Sequence, residues 1–193
     1  MLIIDSLIPR TFQEDILRSM YEYTGWQLSI GTAVQDHGRS TFVDKNTIDS
    51  PMFVNAPYMD GIENPIFPII RPMLFSIEDK LNSRIKTLRR IKINHTGQFP
   101  NYTSNNYSTP HSDDGNPIWT SLLYYVNDSD GDTFFFNEEY SHNASITNLT
   151  LEQRITPQMG KAIVFSSKQF HAGSNPIVTP SRFVINFIFE LEK

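Results

Sequence analysis

The sequence predicts a mainly β fold with flanking helices, either a barrel or a two-sheet jelly roll buttressed by N-terminal α-helices. Two apolar stripes at helical spacing occupy residues 1–83. From Arg84 onward, short apolar and aromatic runs alternate with turn residues, a pattern typical of antiparallel sheets. The length of 193 residues fits a single domain, which we divide into a helical buttress with loops (1–83) and a β core (84–193).

The first predicted helix begins near Thr11. Thr11 and Glu14 match a capping box, and Gly25 provides a stop signal. Residues 26–30 predict a short strand, and residues 32–64 are polar and poorly periodic, which predicts mostly loop.

The second predicted helix begins at Asn64-Pro65, with the asparagine as cap and the proline in the first turn. Pro72 is expected to kink the helix or restart it, because a proline cannot donate the helical hydrogen bond. We expect both helices to pack their apolar stripes on the outside of one sheet.

The strands of the β core are predicted from runs rich in β-branched and aromatic residues. They span residues 88–94, 118–126, 133–136, 162–165 and 183–191. In the last run, Arg182, Val184, Asn186 and Ile188 share one face and the phenylalanines share the other.

Composition excludes several classes of function. The chain has no cysteine, which excludes disulfides, zinc–thiolate sites, iron–sulfur clusters and thiol nucleophiles. A net charge of -5, from 16 basic and 21 acidic residues, argues against binding to nucleic acid. No signal peptide and no membrane-length apolar run is found, so the expected location is the cytoplasm.

One group of residues points to metal chemistry. His111 and Asp113 are two residues apart, so on an extended chain they point to the same side. His171 follows, with 57 residues between it and Asp113. Two histidines and one carboxylate form the facial triad of non-haem Fe(II) oxygenases, which leaves positions open for a cosubstrate and dioxygen.

Two further features strengthen this interpretation. Arg182 opens the last strand, where it is either a solvated arginine at a strand end or an inward-facing one. A buried arginine is costly unless it pairs with an anion such as a carboxylate. Tyr124 and Tyr125 are adjacent on a strand, so one of them faces inward, where its phenol needs a hydrogen-bond partner.

The sequence resembles a known family, the prolyl-4-hydroxylase-like branch of the 2-oxoglutarate/Fe(II)-dependent dioxygenases. The resemblance covers roughly residues 88–190 and rests on several short segments that occur in the same order as in the family. They are Pro-His-x-Asp, Leu-Tyr-Tyr-Val-Asn, Gly-Asp-Thr-Phe-Phe-Phe, Gly-Lys-Ala-Ile-Val-Phe, His-Ala-Gly and Arg-Phe-Val-Ile.

The resemblance implies a double-stranded β-helix, a cupin-like jelly roll, as the catalytic core. It implies Fe(II), 2-oxoglutarate and O2 as cofactors, and hydroxylation of an unactivated C–H bond with succinate and CO2 as co-products. His111, Asp113 and His171 would hold the iron, and Arg182 and Tyr125 would bind the distal carboxylate of 2-oxoglutarate. No separate catalytic acid or base is expected, because the cofactors carry the central step.

Other pocket residues follow from the resemblance less directly. Asn186 matches a position where relatives place a polar side chain near the metal, and Thr133, which begins the short strand that opens after Gly131, is a further pocket candidate. Many relatives have a tyrosine on the strand before His-x-Asp, and here Asn94, Tyr102 and Tyr107 are the alternatives for that role. The relatives' Arg-x-Ser pattern is Arg182-x-Val184, so a serine contact is lost.

Two rival functions remain at this stage. One is a cupin-like metal- or ligand-binding module without oxidase activity, against which Arg182 and Tyr125 argue. The other is an oxidative nucleic-acid demethylase, against which the acidic balance argues. A peptide, such as one carrying a prolyl side chain, or a small molecule is the favoured substrate, and residues 32–58 and 137–155 are the expected specificity loops.

One basic cluster, residues 84–92, weighs against that preference. Arg84, Lys86, Arg90 and Lys92 would share one strand face, with Arg89 on the other. We expect the shared face to be a solvated outer surface rather than a groove for an anionic partner. The remaining histidines, His37, His95 and His142, are expected to be solvated side chains in polar loops.

Overall fold

The computed structural model describes residues 1–31 and 41–192. Three helices are present in these ranges: α1 (Arg10–Glu22), α2 (Phe67–Ile70) and α3 (Met73–Leu81). The strands are β1 (Leu2–Ile4), β2 (Gln27–Ser29), β3 (Met52–Met59), β4 (Ile62–Glu63), β5 (Ile85–Gly97), β6 (Thr120–Tyr125), β7 (Thr133–Glu139), β8 (Leu151–Ile155), β9 (Ala162–Ser166), β10 (Gln169–Gly173) and β11 (Ser181–Leu191). None of these helices is long and apolar enough to cross a membrane.

The strands form two antiparallel sheets. The major sheet has the order β1-β9-β6-β11-β5-β3-β2, with β4 paired to β3, and the minor sheet has the order β10-β7-β8. A cluster of buried side chains from both sheets, including Leu123, Phe135 and Val184, lies between them. This two-sheet, mainly β arrangement confirms the predicted jelly roll.

The opposite face of the major sheet carries the largest core. Helices α1, α2 and α3 cover it with an apolar face that includes Ile16, Met20 and Ile77. From β11, Phe183, Ile185, Phe187 and Phe189 enter this core. The predicted alternation along the last strand and the helical buttress are therefore both observed.

The first helix differs from its prediction at both ends. It begins at Arg10 after Pro9, and no side chain caps it, so the capping box of Thr11 and Glu14 does not form. Instead, Glu14 accepts a hydrogen bond from Arg10 within the helix, at 2.8 Å. The helix ends at Glu22, before Gly25, because Tyr23 is already extended. The restart at Pro72 is confirmed, since α3 begins at Met73.

The prediction of loop over residues 32–64 was wrong for β3 and β4; residues 32–40 lie outside the described residues. Strand β3 carries Asn55 and Pro57, which weaken its β signal, and it is ordered by pairing with β5 on one side and with β2 and β4 on the other. Strands β1 and β8 were also missed, because a three-residue strand and the polar run of β8 carry little periodicity.

Candidate active site

The three predicted metal ligands converge between the two sheets. His171 lies on β10, and His111 lies on an extended segment that exchanges two backbone hydrogen bonds with it, each of 3.0 Å. Asp113 follows two residues later and points to the same side. One nitrogen or oxygen atom from each residue lies within 4.8 Å of the others.

Both histidines have a ring orientation suited to metal binding. The Nδ1 atom of His111 lies 3.1 Å from the carbonyl oxygen of Thr109, and that of His171 lies 3.1 Å from the carbonyl oxygen of Gln169. A carbonyl oxygen only accepts, so Nδ1 carries the proton and Nε2 keeps its lone pair. Burial lowers the pKa of His111 to about 4, which keeps its ring neutral near pH 7.

Asp113 is held by donors on three sides. Arg90 donates to Oδ1 at 3.0 Å, while Ser121 and Asn186 donate to Oδ2 at 2.7 and 3.0 Å. Burial alone raises the pKa of this carboxyl, but His171, Arg90 and the Asn186 amide outweigh it and hold the pKa below its ordinary value. The group is therefore a fixed anion.

A buried cation lies further along the same cavity. Arg182 is 6% exposed and donates from Nε to the carbonyl oxygen of Gly131 and from Nη2 to Oγ1 of Thr133, at 2.7 and 2.8 Å. The hydroxyl of Tyr125 donates to the same Thr133 oxygen at 2.7 Å. No carboxylate in residues 1–31 or 41–192 lies within ion-pairing distance of this guanidinium. An uncompensated buried cation of this kind fits an anionic ligand.

Two glycines leave room for the Arg182 side chain. A Cβ at Gly131 would lie 2.6 Å from the carbonyl oxygen of Ser174 and 2.9 Å from Cδ of Arg182. A Cβ at Gly173 would lie 3.2 Å from Nη1 of Arg182. Gly131, which the sequence reading treated only as a strand opener, is therefore part of the setting of Arg182.

The structure distinguishes the three candidates for the role of the tyrosine that many relatives have before the His-x-Asp motif. Tyr107 donates to Asp44 at 2.6 Å and packs on Phe134 and Phe136, away from the cavity. Asn94 lines the cavity, and its Oδ1 is buried without a hydrogen bond from any described residue. Tyr102 is also buried with an unbonded hydroxyl, and burial raises its pKa to about 12 while the charge of Arg182 acts in the opposite direction. Asn94 and Tyr102 thus remain candidates.

The expectation of a solvated basic face was wrong for Arg90 and Lys92. Both line the cavity beside His111 and Asp113. Strand alternation could have found them, because Asn94 was placed near the site and positions two and four residues earlier on β5 share its face. Asn186 and Thr133, both predicted, also line the cavity.

His95 was also misplaced by the sequence reading. It belongs to β5 and stacks on Phe183 with ring centroids 4.1 Å apart, so it is half-buried rather than solvated. His142 is exposed, as expected, and lies 3.1 Å from the Tyr140 hydroxyl. His37 lies outside the described residues.

Comparison with protein families identifies this arrangement. The family model described as "2OG-Fe(II) oxygenase superfamily" matches residues 97–190, which include all three convergent residues and Arg182. The chain belongs to the 2OG-Fe(II) oxygenase superfamily. As a member, it is an enzyme that uses Fe(II) and 2-oxoglutarate, which sets aside the non-oxidising cupin-like module.

Solved structures share the fold at low identity. A Trichoplax adhaerens prolyl hydroxylase, in complex with a hypoxia-inducible-factor peptide fragment, is 12% identical, with a TM-score of 0.60 over 98% of this chain and 82% of that one. An α-ketoglutarate-dependent carbocyclase from nogalamycin biosynthesis is 10% identical, with a TM-score of 0.63 over 98% and 78%. A Pseudomonas putida prolyl-4-hydroxylase is 12% identical, with a TM-score of 0.52 over 99% and 92%. No curated protein sequence matches this chain.

Proposed function

We propose that this 2OG-Fe(II) oxygenase holds its iron with His111, Asp113 and His171 and hydroxylates an unactivated C–H bond of a peptide side chain or a small molecule. The observation that carries the proposal is the pairing of a convergent His-Asp-His group with a buried, uncompensated arginine in one cavity. Two histidine nitrogens and one carboxylate are a ligand set that suits non-haem Fe(II).

Each residue has a distinct task in this proposal. His111 and His171 would bind the metal through Nε2, and Asp113 supplies a negative charge whose orientation is fixed by Arg90, Ser121 and Asn186. When bound, Fe(II) and 2-oxoglutarate supply the oxidising chemistry with dioxygen, and the cosubstrate leaves as succinate and CO2.

Arg182 is proposed to bind the distal carboxylate of 2-oxoglutarate. Its guanidinium is held by Gly131 and Thr133, and Tyr125 supports it through Thr133. The Tyr102 hydroxyl is buried without a partner among the described residues and could donate a hydrogen bond to a bound dicarboxylate, whereas the unpartnered Asn94 Oδ1 can only accept one. The resulting cavity would exclude water from the reacting groups.

The substrate class is supported by the structural neighbours. They include one prolyl hydroxylase in complex with a peptide and one carbocyclase from nogalamycin biosynthesis, so we keep both a peptide and a small molecule as candidate substrates. A peptidyl prolyl side chain is one candidate within this class.

The test is an anaerobic titration with Fe(II) and then 2-oxoglutarate, which follows the visible charge-transfer band of the bidentate complex. The wild type should develop the band. His171→Ala should lose Fe(II) binding and therefore the band. Arg182→Met should keep Fe(II) binding but bind 2-oxoglutarate roughly ten- to a hundredfold more weakly, because a hydrogen bond to a charged group contributes about 1.5–3 kcal/mol.

Arg84→Met is the matched control, since Arg84 lies on the surface and pairs with Glu78 at 2.8 Å. It should titrate like the wild type. Full iron occupancy in His171→Ala would disprove the ligand assignment, and unchanged 2-oxoglutarate affinity in Arg182→Met would place the anchor elsewhere.

A further inference from the structure

The cavity contains a second cation that the proposed function leaves unused. Lys92 extends from β5 into the cavity, where it is half-buried beside His111, Asp113 and Asn186. Among residues 1–31 and 41–192, no side chain or backbone atom forms a hydrogen bond or an ion pair with its ammonium group. The ammonium faces the cavity, and a cation that lines a cavity without an anionic partner suits an anionic ligand.

The position of Lys92 on its strand places it at the metal end of the cavity. It is opposite Asn186 in the antiparallel pair of β5 and β11, whereas Arg182 is opposite Thr96. Four residues of strand separate these two positions, or roughly 13 Å. The two cations therefore enter the cavity from opposite ends and can bind different groups.

The charges around Lys92 make this end of the cavity electropositive. Arg90 enters next to it, and its positive charge adds to burial in lowering the pKa of Lys92, while Asp113 raises that pKa. Arg90 is already engaged with Asp113, at 3.0 Å. Once a metal ion occupies the histidines and Asp113, the Asp113 charge is neutralised and Lys92 faces further positive charge. The local charge would then favour an additional anion there.

We propose that Lys92 is a second carboxylate-binding residue of this cavity, separate from Arg182. Lys92 binds a carboxylate that lies at the metal end of the cavity. The inference rests on the proposed function, because it takes the metal and Arg182 assignments as given. Two sources can supply this carboxylate. One is the end of 2-oxoglutarate that lies nearest the metal, and the other is a carboxylate of the substrate.

The test compares the wild type with Lys92→Met, which keeps the apolar stem and removes the charge. Lys86→Met is the matched control, because Lys86 is on the same strand but pairs with Glu190 at the surface, at 2.7 Å. The first arm measures 2-oxoglutarate affinity by the anaerobic charge-transfer titration. An affinity loss of about tenfold or more in Lys92→Met alone would assign the carboxylate to the cosubstrate.

The second arm uses enzyme loaded with Zn(II) and saturated with 2-oxoglutarate. Saturation-transfer NMR then compares N-acetyl amino acids with their primary amides as probes. Signals from the acids but not the amides, lost in Lys92→Met and kept in Lys86→Met, would assign the carboxylate to the substrate. Lys92→Arg, which keeps the charge, should restore whichever binding is lost, and Lys92→Gln repeats the test if the methionine variant folds poorly.

The inference is overturned if both arms give the same result for wild type and Lys92→Met. In that case the proposed function stands, provided the wild type develops the charge-transfer band. Absence of the band in the wild type would instead be a failure of the proposed function itself.

Discussion

At the scale of single residues, the two adjacent tyrosines of β6 have different roles. Both are fully buried, but Tyr124 lies in the core under the helices and Tyr125 lies between the sheets. The Tyr125 hydroxyl donates to Thr133, whereas the Tyr124 hydroxyl has no hydrogen-bond partner among the described residues. One phenol thus contributes to the site and the other carries an unsatisfied polar group.

This difference predicts opposite effects for the same substitution. Tyr125→Phe should weaken 2-oxoglutarate binding several-fold, about 1 kcal/mol, because it removes one donor beside Arg182. Burial raises the pKa of Tyr125 to about 12, so this effect should be the same from about pH 6 to 9. Tyr124→Phe should leave binding unchanged and hold or raise the Tm. Charge-transfer titration and thermal denaturation measure the two effects, and equal loss of binding in both variants would contradict the assignment.

Residue chemistry also shows what could be read from the sequence. The convergence of His111, Asp113, His171 and Arg182 in one cavity could be predicted because the sequence spacing places His111 and Asp113 on one side and Arg182 opposite the phenylalanines of its strand. The role of Gly131 was not, because it depends on a contact with Arg182, 51 residues away. Lys92 was placed outside because alternation gives two faces without saying which one is covered, and the position of Asn94 near the site, which would have decided between them, was not used.

At the scale of elements, the turn before β11 is tied to the turn before β7. Asp130 accepts backbone hydrogen bonds from all three of residues 177–179, at 3.1, 2.8 and 2.9 Å, and one from the Thr179 hydroxyl at 2.6 Å. These hydrogen bonds fix the start of β11, which carries Arg182. They lie next to Gly131, whose carbonyl oxygen accepts a hydrogen bond from Arg182.

Asp130→Ala should therefore lower the Tm by several degrees and weaken 2-oxoglutarate binding, with Asp128→Ala, which loses one backbone contact, as a milder control. Burial alone raises the pKa of Asp130, but these hydrogen bonds lower it to about 2. Because the folded pKa is below the unfolded value, the stabilisation is present above about pH 4 and is lost as the pH falls through 2. The Tm difference from wild type should shrink accordingly, and a difference that persists below pH 2 would contradict this account.

Element boundaries were the weakest part of the sequence reading. The strands of the β core were found because their runs are apolar and bounded by turns. Strand β3 was not, because its order comes from pairing with β5 rather than from its own composition. The end of α1 was misplaced because Tyr23 becomes extended before the glycine that signals a stop.

At the scale of the whole molecule, the distribution of charge favours a peptide or small molecule over nucleic acid. The outward-facing members of the basic cluster are each paired: Arg84 with Glu78, Lys86 with Glu190 and Arg89 with Asp114. The other two, Arg90 and Lys92, line the cavity. Phosphates bind to unpaired surface cations, and this cluster offers none on its outer side.

Succinate production should therefore respond to peptide pools or small carboxylic acids and not to oligonucleotides. The assay contains Fe(II), 2-oxoglutarate and dioxygen, and each class of candidate is added in turn at low and at physiological salt. A stimulation that only oligonucleotides produce, and that falls steeply as salt rises, would instead support the demethylase.

Strand β11 has one further consequence for engineering. Its odd-numbered phenylalanines belong to the helix-covered core, while Arg182, Val184 and Asn186 belong to the cavity. Residues that stabilise the core and residues that line the cavity thus alternate along this one strand. A library restricted to Val184 would vary the shape of the cavity without altering the phenylalanines that hold the sheet to its helices, so selectivity could be evolved there.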